Sequence, residues 1–110
     1  MPEKIDPRFQ KALKIYEMPD GIMQDKDSPY HFLVRSESDP VLTYSVTFIE
    51  VYENDGKIKR LRGRCDCVDY MYKSKLDIEH KCKHILVYVL AKVRGKKIKK
   101  VNVQEYLNPS

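Results

Sequence analysis

The stretch "RCDCVDYMYKSKLDIEHKCKH" (Arg64–His84) holds all three cysteines and two of the three histidines of a 110-residue chain. Their order is C-x-C, a gap of fourteen residues, then C-x-H. Disulfides explain this poorly. Cys65 and Cys67 are too close along an extended chain to pair well, and an odd number leaves one cysteine over. A catalytic cysteine needs a base and an orienting group, and no motif marks either. Three buried structural cysteines remain as the plain alternative, but they do not account for the order of the residues.

A tetrahedral zinc ion accounts for it better. With Zn–S near 2.3 Å, the sulfurs of one site lie about 3.8 Å apart. Positions i and i+2 at a strand end face the same side, so Cys65 and Cys67 both reach one ion. Within a helix, i and i+2 point about 200° apart. Cys82 is therefore expected in a loop or cap, with His84 in the first helical turn. His80 competes for the fourth place, and the helix argument favours His84. Three thiolates, a neutral imidazole and Zn²⁺ sum to −1, which suits a helix N-terminus. Four protein ligands (Cys65, Cys67, Cys82 and His84) close the site, so one structural Zn²⁺ and no catalysis are expected.

Upstream, "VLTYSVTFIEVYE" is β-branched and aromatic and reads as a strand. Asn54-Asp55-Gly56 is a strong hairpin signal, and "KIKRLRGRC" is the return strand. A two-residue loop at Asp55-Gly56 places Val46 opposite Cys65 and Tyr44 opposite Cys67. Alternation then puts Tyr44, Val46, Phe48, Leu61, Cys65 and Cys67 on one face. Arg60, Arg62 and Arg64 share the other face with Ser45 and Thr47. Ile49 and Val51 also fall on that polar face, which leaves room for a bulge or a second packing surface. Downstream, "CKHILVYVLAKVRG" reads as a buried helix ended near Gly95, with a strand as the alternative.

Toward the N-terminus, Asp6 and Pro7 suit the cap and first turn of a helix over "RFQKALKIYEM". Its apolar stripe is Phe9, Leu13 and Tyr16, or else Ala12 and Ile15. "PDGIMQDKDSP" (Pro19–Pro29) reads as a turn-rich connector, "YHFLVRSES" as a strand and Asp39-Pro40 as a turn. The tail "KKIKKVNVQEYLNPS" opens with Lys96, Lys97, Lys99 and Lys100, then a short strand or helical turn. Apolar residues are 42% and charged residues 34%, a globular balance. No apolar run suggests a membrane span. The opening "MPEKIDPRFQ" lacks the apolar core of a secretory signal. The expected setting is the reducing cytoplasm, or the nucleoid or nucleus if DNA is bound. Net charge is +5, which fits an acidic partner.

Cys65-Asp66-Cys67 and Cys82-Lys83-His84, with a strand hairpin before and an apolar helix after, resemble the SWIM zinc-finger family. Val68-Asp69-Tyr70 resembles the polar-aromatic segment that follows the family's first pair, and "CKHILVYVLA" its closing helix. The resemblance covers about residues 30–92. It implies an α+β fold: a small antiparallel sheet with a hairpin and a helix around a structural zinc, plus the N-terminal helix. The division expected is 1–29 for the N-terminal helix and connector, 30–95 for the finger, and 96–110 for a basic extension. The resemblance also implies a role in binding DNA or protein. Phosphate contacts are expected from Arg60, Arg62 and Arg64, and from Lys96, Lys97, Lys99 and Lys100, with DNA as the partner rather than RNA. An adaptor for a recombination, repair or transcription protein is the alternative. No phosphate-binding loop or metalloprotease motif points to a small-molecule substrate.

Overall fold

The computed structural model describes residues 6–39, 41–52, 54–76 and 80–107, apart from the side chains of Ile58, Lys59 and Leu107. Pro40 of the expected Asp39-Pro40 turn lies outside these residues. The chain is α+β. Helix α1 spans Pro7–Glu17, followed by strands β1 (Ile22–Asp25), β2 (His31–Arg35), β3 (Thr43–Tyr52) and β4 (Ile58–Cys65). Helices α2 (Val68–Lys73) and α3 (Lys83–Val93) come next, then β5 (Lys99–Val101) and a short α4 (Gln104–Leu107). The strands form one five-stranded sheet in the order β4-β3-β2-β1-β5.

Local chemistry explains most of these elements. Pro7 occupies the first turn of α1, where its missing N–H costs nothing, and the Asp6 carboxylate accepts the Arg8 N–H. Ala12 and Ile15 are fully buried while Phe9 is 36% exposed, so the second of the two possible stripes faces the core. Gly56, at φ 83°, turns the β3–β4 hairpin, and the Asp55 carboxylate accepts the Lys57 N–H. From Val46↔Cys65 to Val51↔Arg60 the register is the expected one, and it shifts by one residue between Val51 and Tyr52. β2 is buried on both faces, which explains its nearly unbroken apolar run.

Two expectations are corrected. The Pro19–Pro29 segment is not only a connector, because Ile22–Asp25 pairs with both β2 and β5. The sheet is not purely antiparallel either, since β1 and β5 run parallel. β5 gets its hydrogen bonds from a segment remote in sequence, and β1 is only four residues long, so local propensity carries little signal for them. The tail supplies both a strand and a helical turn.

The core lies on the face where α1 and α3 pack. Ala12, Ile15, Phe32, Val34, Val46, Phe48, Ile85 and Leu90 belong to it, and Cys65, Cys67 and Cys82 extend it. Helix α3 approaches β4 closely at Gly63. A Cβ there would lie 2.9 Å from the Phe48 ring and 3.1 Å from Ile85. The opposite face carries a smaller cluster of Met23, Leu33, Val101 and Val103, with Tyr106 against it. Ile49 and Val51 are outside this cluster and only partly buried, and the register shift falls beside Val51.

Candidate metal centre

Three chain segments meet at the cysteine cluster. Cys65 ends β4, Cys67 caps α2 and Cys82 caps α3, with His84 in the first turn of α3. The i, i+2 argument is thus met in both pairs: neither pair lies wholly inside a helix. One donor atom from each of Cys65, Cys67, Cys82 and His84 lies within 4.8 Å of the others, and all four residues are buried. The His84 Nδ1 is 3.7 Å from the Cys65 sulfur and 3.9 Å from the Cys82 sulfur. Ligands around tetrahedral zinc are about 3.6–3.8 Å apart, so the residues fit one such ion and the donor set suits it.

The cluster's electrostatics favour a cation. Cys67 is pulled far down by hydrogen bonds from Cys65 and Cys82, while Cys65 is pushed far up by its contacts with Cys67 and Cys82. Three sulfurs in contact inside a core cannot all ionise alone, and a divalent ion at their centre reverses that. The Cys67 sulfur also accepts the Tyr70 N–H at 3.4 Å. Helix α3 begins beside the Cys82 sulfur, so its N-terminal dipole faces the thiolates.

His84 has a division of labour between its nitrogens. Nδ1 faces the sulfurs, while Nε2 is buried with no hydrogen-bond partner among the described residues. The ring is held instead by Tyr44, whose ring centre lies 4.3 Å away at 33°. His80, the rival ligand, is engaged elsewhere. Its Nδ1 is 3.2 Å from the Arg8 guanidinium and its Nε2 is 3.0 Å from an Asp69 carboxylate oxygen. Arg8 only donates, so His80 accepts at Nδ1 and donates from Nε2. The hydrogen bond from His80 holds the Asp69 carboxyl below its ordinary range. Arg8 also donates to the Lys81 carbonyl at 3.0 Å, so α1 latches the segment leading into Cys82. The hairpin register put Tyr44 on the cysteine face, but its stacking on His84 and this latch each join segments far apart along the chain and left no further sign in the sequence.

The basic residues separate into two places. Arg60, Arg62 and Arg64 lie on β4, on the face opposite Cys65 as expected. Arg60 and Arg64 are exposed, while Arg62 is partly buried and its Nε has no partner among the described residues. Lys99 and Lys100 lie on β5, at the other edge of the sheet. Four strand spacings, about 19 Å, separate the two edges. Lys96 is drawn inward: its ammonium donates to the Tyr16 carbonyl at 2.6 Å and lies 4.6 Å from the Tyr16 ring centre. Lys97 and Lys100 are exposed, and Lys99 is 4.0 Å from an Asp20 carboxylate oxygen.

No helix among the described residues is long and apolar enough to cross a membrane. Comparison with protein-family models, with curated proteins and with solved structures gave no match.

Proposed function

We propose that this chain is a SWIM-type zinc module that binds one Zn²⁺ through Cys65, Cys67, Cys82 and His84 and contacts DNA through its basic surface. The observation that carries the reading is the buried Cys₃His cluster with ligand-to-ligand distances that suit one tetrahedral ion. Elemental analysis of the purified protein is expected to give one zinc per chain. Cys82→Ser is expected to lose or weaken it, and full retention in that variant would remove the assignment.

The DNA reading rests on the arginine row. Alternate residues of a strand are about 6.6 Å apart, close to the phosphate spacing along one nucleic-acid strand. Such a row follows a backbone without reading bases, so sequence-tolerant binding is expected. Replacing Arg60, Arg62 and Arg64 with glutamine is expected to weaken DNA binding. The log–log salt slope should fall by about 0.9 for each phosphate that the variant no longer neutralises, with zinc content unchanged.

A specific observation favours a second reading, a protein-interaction adaptor. Val68, Met71 and Tyr72 of α2 and Leu76 just beyond it are 82%, 59%, 71% and 86% exposed. Together they form an apolar stripe beside the metal centre, and such patches mark contact surfaces. Absence of salt-sensitive DNA binding by the wild-type protein would leave the adaptor in first place.

A further inference from the structure

The sheet face turned away from α1 and α3 brings together three residues that are not neighbours in the sequence. Asp25 ends β1, His31 opens β2 and Ser45 lies on β3. The registers Gln24↔Phe32 and Leu33↔Ser45, with alternation along each strand, put all three on the face of Met23 and Leu33. The His31 Nδ1 is 3.1 Å from an Asp25 carboxylate oxygen, and its Nε2 is 2.5 Å from the Ser45 hydroxyl oxygen. Nucleophile, base and orienting carboxylate are in hydrogen-bonded sequence, the arrangement that activates a serine.

The directions of the hydrogen bonds follow from the partners. The second Asp25 oxygen accepts the Asp27 N–H at 2.9 Å. That bond, together with the one to His31, holds the carboxyl below its ordinary range. An ionised carboxylate only accepts, so Nδ1 carries a proton, and in the neutral imidazole Nε2 then offers its lone pair to the Ser45 hydroxyl. The His31 and Asp25 side chains are 20% and 15% exposed, partly screened but not sealed from solvent. Ser45 borders an open cavity of about 360 Å³ shared with Thr47, Arg64, Cys65, Asp66 and Met71, a volume in the small-ligand range. The Ser45 N–H is taken by Asp66 at 2.9 Å. That bond fixes the serine backbone and leaves the Arg64 guanidinium and the Thr47 hydroxyl as the side-chain donors lining the cavity.

We propose that Ser45 is an activated nucleophile that takes the acyl group of small carboxylic esters, with His31 as its base and Asp25 as a positioning residue. The Ser45 oxygen bonds to the ester carbonyl carbon as its proton passes to His31 Nε2. The carbonyl π pair moves to oxygen, where Arg64 offers the compensating charge. Collapse of the adduct breaks the bond to the leaving alkoxide, which takes the proton from His31 and leaves an acyl-Ser45. Water, deprotonated by the same nitrogen, then releases the carboxylic acid and restores the serine. The expectation of no catalysis came from the closed metal site, and none of these three residues belongs to that site.

The zinc-loaded protein, treated with p-nitrophenyl acetate and mapped by peptide mass, is expected to acquire acetyl on Ser45 well ahead of Ser28 and Ser74. His31→Gln should slow that acetylation about 100-fold. Asp25→Asn should slow it as well, and Asp25→Glu should recover part of the rate. Ser45 acetylation no faster than at Ser28 and Ser74 overturns the proposal, as does a rate indifferent to His31→Gln in a variant that keeps its zinc and secondary structure. Should that variant not fold, imidazole ¹⁵N shifts of the wild-type protein decide. A protonated Nδ1 with a bare Nε2 supports the relay, and the opposite tautomer overturns it.

Discussion

His84 turns Nδ1 toward the cysteine sulfurs and leaves a buried Nε2 with no polar partner among the described residues. Ligand histidines elsewhere are usually oriented by a hydrogen bond at the second nitrogen. Here the stacked Tyr44 ring takes that part. Tyr44→Ala is therefore expected to lower zinc affinity about tenfold, while Tyr44→Phe, which keeps the ring, leaves it near wild type. Competition against a chromogenic chelator measures both, and equal affinity in the alanine variant would show that the ring does not orient the imidazole. His80 shows the converse case. It lies two residues from Cys82, as His84 does, yet Arg8 and Asp69 satisfy both of its nitrogens and hold it away from the sulfurs.

At the scale of elements, the β2–β3 connection is tied to the start of α3. The Lys83 ammonium donates to a Glu37 carboxylate oxygen at 2.9 Å, and the Glu37 side chain is only 17% exposed. The hydrogen bond from Lys83 holds the Glu37 carboxyl below its ordinary value of 4.5. A carboxyl depressed in the folded state stabilises it above the unfolded pKa, and the contribution is lost as pH falls through the folded pKa. Glu37→Gln should therefore cost about 1 kcal/mol near neutral pH, and the gap should close as the medium is acidified below about pH 4.5. Urea unfolding at several pH values tests this, and a gap that persists in acid would mean a packing effect instead. The hairpin was legible at this scale because Asn54-Asp55-Gly56 marks the turn and the alternation over Tyr44, Val46 and Phe48 marks the core face locally. Helix α2 was not: it has only six residues, held by Cys67 at its N-cap and by Tyr70 packing into the core.

For the whole molecule, the Cys65, Cys67, Cys82 and His84 cluster joins the end of β4, the N-terminus of α2 and the N-terminus of α3. Metal binding supplies on the order of 10 kcal/mol in zinc-finger peptides, so removal should have consequences well beyond the ligands. A strong chelator is expected to raise amide exchange across the Cys65–Val93 segment more than across the β1–β2 pair. Unchanged exchange in that segment would mean that the fold stands without the ion. The two ends of the chain are not appendages to this unit: β1 lies within residues 1–29 and β5 within 96–110, and the two pair as neighbours in the same sheet.

The grouping of Cys65, Cys67, Cys82 and His84 and the face of the arginine row were legible in the sequence alone. Both rest on short-range geometry: the period of two along a strand, the 100° step of a helix and a turn signal between two strands. Only the tertiary structure decided the rest. It made strands of Ile22–Asp25 and Lys99–Val101, and it set the two lysine- and arginine-bearing strands at opposite sheet edges. It also drew Lys96 onto Tyr16, and aligned Asp25, His31 and Ser45 across three strands. Most of these depend on which remote segments become neighbours, and no local pattern of side chains encodes that choice.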